Sequence, residues 1–288
     1  MESYNVKKAN EDFYFSSQPL SQGSRKKRMC KDKEGNGIHF KYQRANSSEA
    51  CSEKISYEIA KVLGYKCAKI EFAYDEYGRL GILNYIFSTE KFPHYDIVAF
   101  LGDDARTNRK DYYIISIVKA CLDQKDSKLF NGFIKILFFD ALIGETDRHE
   151  NNWGLTVLEN NTYEISPLYD NGCNLLSALK CNEEKLNLFN SNETEFLKYI
   201  NNAKSCIRIE KNRKIKHFDL IRKLKEENLD ILKCEVENLK KLTDEKIEEI
   251  VDRLPNEEEF ITKMHKDLIK KCIKKRRDIL IEIIEEEN

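Results

Sequence analysis

The chain is predicted to be an α+β protein of two lobes, with a small β-rich N-terminal lobe carrying one helix (residues 1–90) and a mostly helical C-terminal lobe (91–288). Three observations predict this. Alternating apolar and polar residues punctuated by tight turns carry the first part of the chain, a helical apolar period takes over after about residue 92, and one short hairpin pattern interrupts the helical part. A chain of 288 residues can bury a real core and divide into two lobes around a cleft.

The elements follow in order. Gly35-Asn36-Gly37 is a turn signal, and Ile38–Tyr42 alternates after it, so a hairpin arm is expected there. From Glu49 to Leu63 the apolar positions Ile55, Ile59, Val62 and Leu63 keep helical spacing, and Gly64 supplies the stop. Strands are predicted at Ala68–Tyr74 and Leu80–Phe87 around the Asp75-Glu76-Tyr77-Gly78 turn, with a hinge between the lobes at Phe87–Glu90. Helices are predicted over Tyr112–Leu122, Lys128–Ile143, Lys216–Glu226, Asp244–Arg253 and Glu257–Glu286. The interrupting hairpin pairs Trp153–Leu158 with Thr162–Ile165 across Asn160-Asn161.

Composition narrows the function classes. Charged residues are 34% of the chain, but 49 basic side chains against 50 acidic ones leave no overall pull toward nucleic acid or a membrane surface. Nine cysteines lie scattered without a C-x-x-C pair or an apolar leader before them, which predicts reduced thiols in a cytoplasm. The apolar run Phe133–Ile143 is broken by Lys135 and Asp140 and falls short of the ~20 residues a spanning helix needs. Histidines and cysteines show no zinc spacing. The basic segment Lys270, Lys271, Lys274, Lys275, Arg276 and Arg277 reads as the solvated face of a helix whose other face carries Phe260, Met264, Leu268, Cys272 and Ile279.

The densest chemistry sits where the Lys128–Ile143 helix ends, in Gly144-Glu145-Thr146-Asp147-Arg148-His149-Glu150-Asn151-Asn152-Trp153-Gly154. A carboxylate, Asp147, and an amide, Asn152, stand five positions apart in a polar loop. A second carboxylate, Asp170, follows the hairpin in Pro167-Leu168-Tyr169-Asp170-Asn171-Gly172. Phosphoryl transfer needs one acid to accept a hydroxyl proton and oxygen ligands to hold magnesium against phosphates. Asp147 suits the first role, and Asn152 with Asp170 the second. Trp153 is expected to pack beneath this loop.

At these residues the chain resembles the HipA-like kinases of the protein-kinase and phosphoinositide-kinase-like superfamily. Asp147-Arg148-His149-Glu150-Asn151-Asn152 looks like that family's D-x-H-x-x-N catalytic loop, and Leu168-Tyr169-Asp170 looks like its counterpart of the D-F-G motif. The resemblance implies a bilobal protein-kinase-like fold, a base at Asp147, metal ligands at Asn152 and Asp170, and a structural His149. It also implies ATP and magnesium (Mg2+) as cofactors and a protein substrate with a Ser/Thr acceptor.

Such a site needs a cation on the α- and β-phosphates and an acid to hold it. Lys41 on the Ile38–Tyr42 strand is the candidate cation. Glu53, which resembles the family's acid six positions before an Ile-Ala pair, is its expected partner, with Glu58 or Glu49 as alternatives. Ser21-Gln22-Gly23-Ser24-Arg25-Lys26-Lys27-Arg28 stands where a phosphate-covering loop should lie, so Gly23 and Ser24 are candidate phosphate contacts. Some members of the family are phosphorylated in this loop, which makes Ser21 or Ser24 an expected autophosphorylation site. Ile86 and Phe87, at the hinge, are the expected adenine contacts.

Larger HipA toxins carry an additional N-terminal region, whereas this chain reaches its expected phosphate loop within about 25 residues and resembles a short, stand-alone form. An antitoxin-like regulator is therefore an open expectation. Two other readings stay beside the protein kinase, namely a lipid or small-molecule kinase and a nucleotide-binding pseudokinase.

Overall fold

Six strands build the N-terminal lobe: β1 (Val6–Lys8), β2 (Phe13–Leu20), β3 (Lys27–Asp32), β4 (Gly37–Tyr42), β5 (Ile70–Tyr74) and β6 (Leu80–Tyr85). They form one sheet in the order β1-β5-β6-β4-β3-β2, antiparallel except for the parallel β1–β5 pair. The structure, a computed structural model, describes residues 2–20, 26–100, 115–126, 128–209, 214–257 and 259–286.

The alternation read at Ile38–Tyr42 does its work here. Ile38 and Phe40 face a small apolar cluster with Phe13, Cys30, Ala73 and Leu83, while Lys41 falls on the opposite face, in register with Ile82 of β6. That opposite face receives helix α1 (Glu49–Leu63), which ends at Gly64 in the left-handed conformation expected of a helix stop. Helix α1 buries twelve of its fifteen residues, polar ones included, because it is held between the sheet and the second lobe.

The C-terminal lobe is helical: α2 (Ile115–Asp123), α3 (Lys128–Ile143), α4 (Glu183–Ser191), α5 (Glu193–Asn202), α6 (His217–Leu239), α7 (Asp244–Asp252) and α8 (Lys263–Glu285). Helix α3 is its axis. Phe133, Phe138, Phe139 and Leu142 are fully buried, and each such side chain contributes about 1.5–3 kcal/mol of apolar burial. A three-stranded sheet, β7 (His94–Asp96), β8 (Gly154–Val157) and β9 (Tyr163–Ile165), lies against it, with Asn160 and Asn161 at positive φ in the predicted turn.

Several boundaries depart from the sequence reading. Strands β5 and β6 are shorter than predicted, and α6 runs well beyond Glu226 because Leu232, Val236 and Leu239 continue its buried stripe. The last helix starts at Lys263, capped by Thr262, and not at Glu257. Helices α4 and α5 were not predicted; each buries only two residues and is started by an Asn cap, Asn182 or Asn192. The predicted helix at Tyr112–Leu122 lies partly outside the described residues.

One residue of the basic segment is not on the solvated face. Arg276 is buried and donates from Nε to the Ala141 carbonyl at 2.8 Å and from Nη1 to the Ile200 carbonyl at 2.9 Å. It ties α8 to the ends of α3 and α5, since helix C-termini leave carbonyls without intrahelical partners. No helix among the described residues is long and apolar enough to cross a membrane.

Candidate functional site

The cleft between the lobes gathers Lys41, Glu53 and Asp170. Lys41 Nζ lies 3.5 Å from Glu53 Oε2 and 3.0 Å from Asp170 Oδ1. Glu53 is almost fully buried on the face of α1 that meets the sheet. The other two acids of this helix are used elsewhere: Glu58 pairs with Lys54 at 2.7 Å and Lys61 at 2.9 Å, and Glu49 lies 3.5 Å from Arg44. A close backbone approach sits beside the lysine. A Cβ at Gly81 would lie 2.4 Å from the Lys41 carbonyl and 2.6 Å from the Phe40 ring, so β6 needs glycine there.

Asp170 sits at φ 54°, a left-handed conformation uncommon outside glycine and one that the surrounding loops must impose. The loop after it is stapled to α1. Ser52 Oγ donates to the Asn174 carbonyl at 3.3 Å, Ser56 Oγ donates to the Asn171 carbonyl at 3.4 Å, and Asn174 Nδ2 donates to Ser56 Oγ at 3.3 Å.

The Asp147–Asn152 loop is a folded turn. Asn152 Nδ2 donates to the Asp147 carbonyl at 2.8 Å, and the Asn151 amide donates to His149 Nδ1 at 3.1 Å, so the His149 ring braces the loop. Asp147 is exposed at its tip, in reach of a solvent-borne group. Beneath, Trp153 stacks on Phe133 with centroids 4.3 Å apart. Beside the Asp147 loop opens a cavity of about 660 Å³ lined by Thr146, Cys173, Asn174, Lys185, Lys198 and Tyr199 among others.

Arg148 joins the two loops. It is buried, pairs with the equally buried Asp140 at 2.7 Å, and donates to the carbonyls of Asn152 (2.9 Å) and Tyr169 (3.0 Å) and to Asn171 Oδ1 (2.5 Å). Burial works against its charge, but Asp140, Glu145 and Tyr169 outweigh it and hold the guanidinium above its ordinary range. Glu145 adds a second bridge. Its carboxyl accepts from the Asp147 amide at 2.8 Å, the Cys173 amide at 3.2 Å and Asn174 Nδ2 at 3.1 Å, and burial pushes its pKa up to about 7. Sequence reasoning missed Asp140, Glu145, Arg148 and Asn171 as a set. The signal available was a carboxylate inside an otherwise apolar helix, Asp140, which requires a buried partner.

The two expected adenine contacts diverge. Phe87 packs edge-on against His94 (5.2 Å between centroids) and near Tyr169 (5.8 Å), whose hydroxyl donates to Asp96 at 2.8 Å. Ile86 is exposed and turns the other way, so that a Cβ at Gly37 would meet its Cδ1 at 3.0 Å. Gly23, Ser24 and Ser21 lie outside the described residues.

For a metal, the donor set is one carboxylate and one amide oxygen. Asn152 commits its amide nitrogen to the Asp147 carbonyl, which leaves its oxygen as the atom that could ligate a metal. Among the described residues no group of three or more His, Cys, Asp or Glu side chains gathers as a metal site. A sparse oxygen set fits magnesium, which keeps water and takes phosphate oxygens for the rest of its shell.

Comparison with known proteins bears on the same regions. The chain is 24% identical over 201 residues to the serine/threonine-protein kinase CtkA of Helicobacter pylori, a match covering 66% of this chain and 59% of that protein. The crystal structure of the proinflammatory kinase CtkA from H. pylori superposes with a TM-score of 0.76 at 20% identity, covering 90% of this chain and 92% of that one, so the two share a bilobal fold. HipA in its complex with HipB and operator DNA, from Shewanella oneidensis, gives a TM-score of 0.47 at 13% identity, over 94% of this chain and 66% of that one. A family model described as the HipA-like C-terminal domain matches residues 20–257, which takes in every candidate residue above, and the chain belongs to that family.

Proposed function

We propose that this protein is an ATP- and Mg2+-dependent kinase that phosphorylates Ser/Thr hydroxyls of a protein acceptor. The observation that carries the reading is the position of Lys41, 3.5 Å from Glu53 and 3.0 Å from Asp170, which joins a phosphate-binding cation to its orienting acid and to a metal-ligand carboxylate in one cleft. Membership of a family that includes HipA-like kinases, and similarity to a protein named as a serine/threonine kinase, support the same conclusion.

Each residue then has a task. Lys41 neutralises the α- and β-phosphates, and Asn152 and Asp170 would hold the metal, which neutralises charge on the β- and γ-phosphates when bound. Asp147 accepts the acceptor hydroxyl proton as that oxygen bonds to the γ-phosphorus. The bond from the γ-phosphorus to the β–γ bridging oxygen breaks, and ADP leaves. Arg148 and Glu145 hold the Asp147 and Asp170 loops at a fixed separation, which matters because positioning supplies much of the rate in phosphoryl transfer.

The test is phosphate transfer from labelled ATP to a generic protein acceptor and to the protein itself, beside Asp147→Asn and Asp170→Asn. Each variant should lose turnover by about 10²-fold or more, the lower end of what a general base supplies. Undiminished transfer in both would refute the assignment. Mapping of the wild-type product to Ser21 or Ser24 would identify the autophosphorylated residue.

A further inference from the structure

Near the start of α6 the chain gathers four lysines, Lys204, Lys214, Lys216 and Lys223, around a cavity of about 380 Å³ whose apolar lining is Ile209 and Ile215. Among the described residues the one acid on its wall, Asp219, pairs with Arg222 at 3.0 Å. Among the described residues none of the four lysines is in an ion pair. The lysine-rich face of α8 is the opposite case. There Lys270 pairs with Asp267 and Asp252, Lys274 with Asp244 and Glu248, and Lys271 with Glu193, so that the surface is internally neutralised. Four unneutralised like charges around one concavity repel each other and raise the local potential for an anion.

The cavity is built into the catalytic end of the lobe. Lys204 bridges Lys216, the Ser205 amide donates to the Ile215 carbonyl at 3.0 Å, and the His217 amide donates to the Ala203 carbonyl at 3.1 Å. The next residue along, Cys206, donates its thiol to the Thr146 carbonyl at 3.0 Å, one residue from Asp147. Lys214 and Asp147 both act electrostatically on the Cys206 thiol, so a ligand held by the lysines would lie near the Asp147 loop.

We propose that the cavity bounded by Lys204, Lys214, Lys216 and Lys223 docks an acidic segment of the acceptor protein, its anions being carboxylates or phosphates, next to Asp147. This names the substrate class for the kinase reading above and rests on it. A peptide is favoured over a nucleic acid because the described lining offers aliphatic side chains and no aromatic platform on which bases could stack.

The experiment measures binding without catalysis. Fluorescent peptides of one length carry a serine among Asp/Glu residues, among phosphoserines, or among Asn/Gln residues, and their anisotropy is followed with the full chain at low and high salt. A single-stranded RNA of matched charge competes. Wild type should bind both acidic peptides and not the neutral one. The K204E/K214E/K216E/K223E variant should bind about tenfold more weakly or worse, as expected when several complementary charges are reversed, with unchanged circular dichroism. If charge reversal unfolds the chain, the K214Q/K223Q variant carries the same test. The tighter of the two acidic arms identifies the anion.

Equal binding by wild type and variant, equal binding of the neutral peptide, or RNA displacing the peptide at far lower concentration would each overturn the docking proposal. Binding that the lysine variant loses, in a protein that transfers no phosphate from ATP to the bound serine, would support the docking site and overturn the kinase reading.

Discussion

Arg148→Lys tests whether the guanidinium is what holds the Asp147 and Asp170 loops together. Lysine can keep one ion pair with Asp140, now 2.7 Å from the guanidinium, but a single ammonium cannot also reach the Asn152 and Tyr169 carbonyls and Asn171 Oδ1. Three buried acceptors lose a charged donor at about 1.5 kcal/mol or more each, giving about 4.5 kcal/mol or more. Urea unfolding should show that loss. Hydrogen exchange should quicken in the backbone amides of 147–152 and 169–172 before it changes in α3, and phosphate transfer should fall more than ATP binding does. A variant with wild-type unfolding and wild-type exchange in both loops would refute the clamp.

Three other perturbations follow from the same geometry. Glu145 has a folded pKa near 7 against an ordinary 4.5, so between these values the folded state holds the extra proton, and its contribution to stability falls as pH rises through that window. The shift corresponds to a difference on the order of 3 kcal/mol, which Glu145→Gln should remove from the pH dependence of unfolding. Gly81→Ala pushes a methyl into the Lys41 carbonyl and the Phe40 ring; overpacking of this kind costs about 1–3 kcal/mol, and the displaced Lys41 should raise the KM for ATP. Lys41→Met leaves buried Glu53 without its cation and should cut phosphate transfer by about 10²-fold, whereas circular dichroism should change little.

Much of this was legible in the sequence where one local rule and the tertiary context agree. Helix α1 begins and ends where its apolar spacing and Gly64 place it, and α3 has its predicted limits, since long periodic runs bounded by strong punctuation carry their own boundaries. The Asp147–Asn152 loop and Asp170 stand out by residue type alone, and the structure places Asp170 beside Lys41 and ties both loops to Arg148. Helices α4 and α5 were illegible because each buries only two side chains, leaving almost no period to detect. Arg276 misled for a related reason. Its neighbour Lys275 is an exposed helix-surface cation, and only the three-dimensional arrival of the Ala141 and Ile200 carbonyls makes Arg276 a buried tie. The Arg148 clamp links positions 140, 148, 152, 169 and 171, a separation that no local pattern encodes.

The hydrogen bonds from Ser52 and Ser56 to the backbone behind Asp170 have a bearing on how this protein can be turned off. Many enzymes that pair a cleft lysine with a helix-borne acid are silenced by swinging that helix away. Here the swing would break the Lys41–Glu53 pair and strand two buried hydroxyls and an amide together, each of which costs about 1–3 kcal/mol if left without a partner. The helix behaves as a rivet, not a lever. A swing of that helix would have to offset this cost before it could act as a switch.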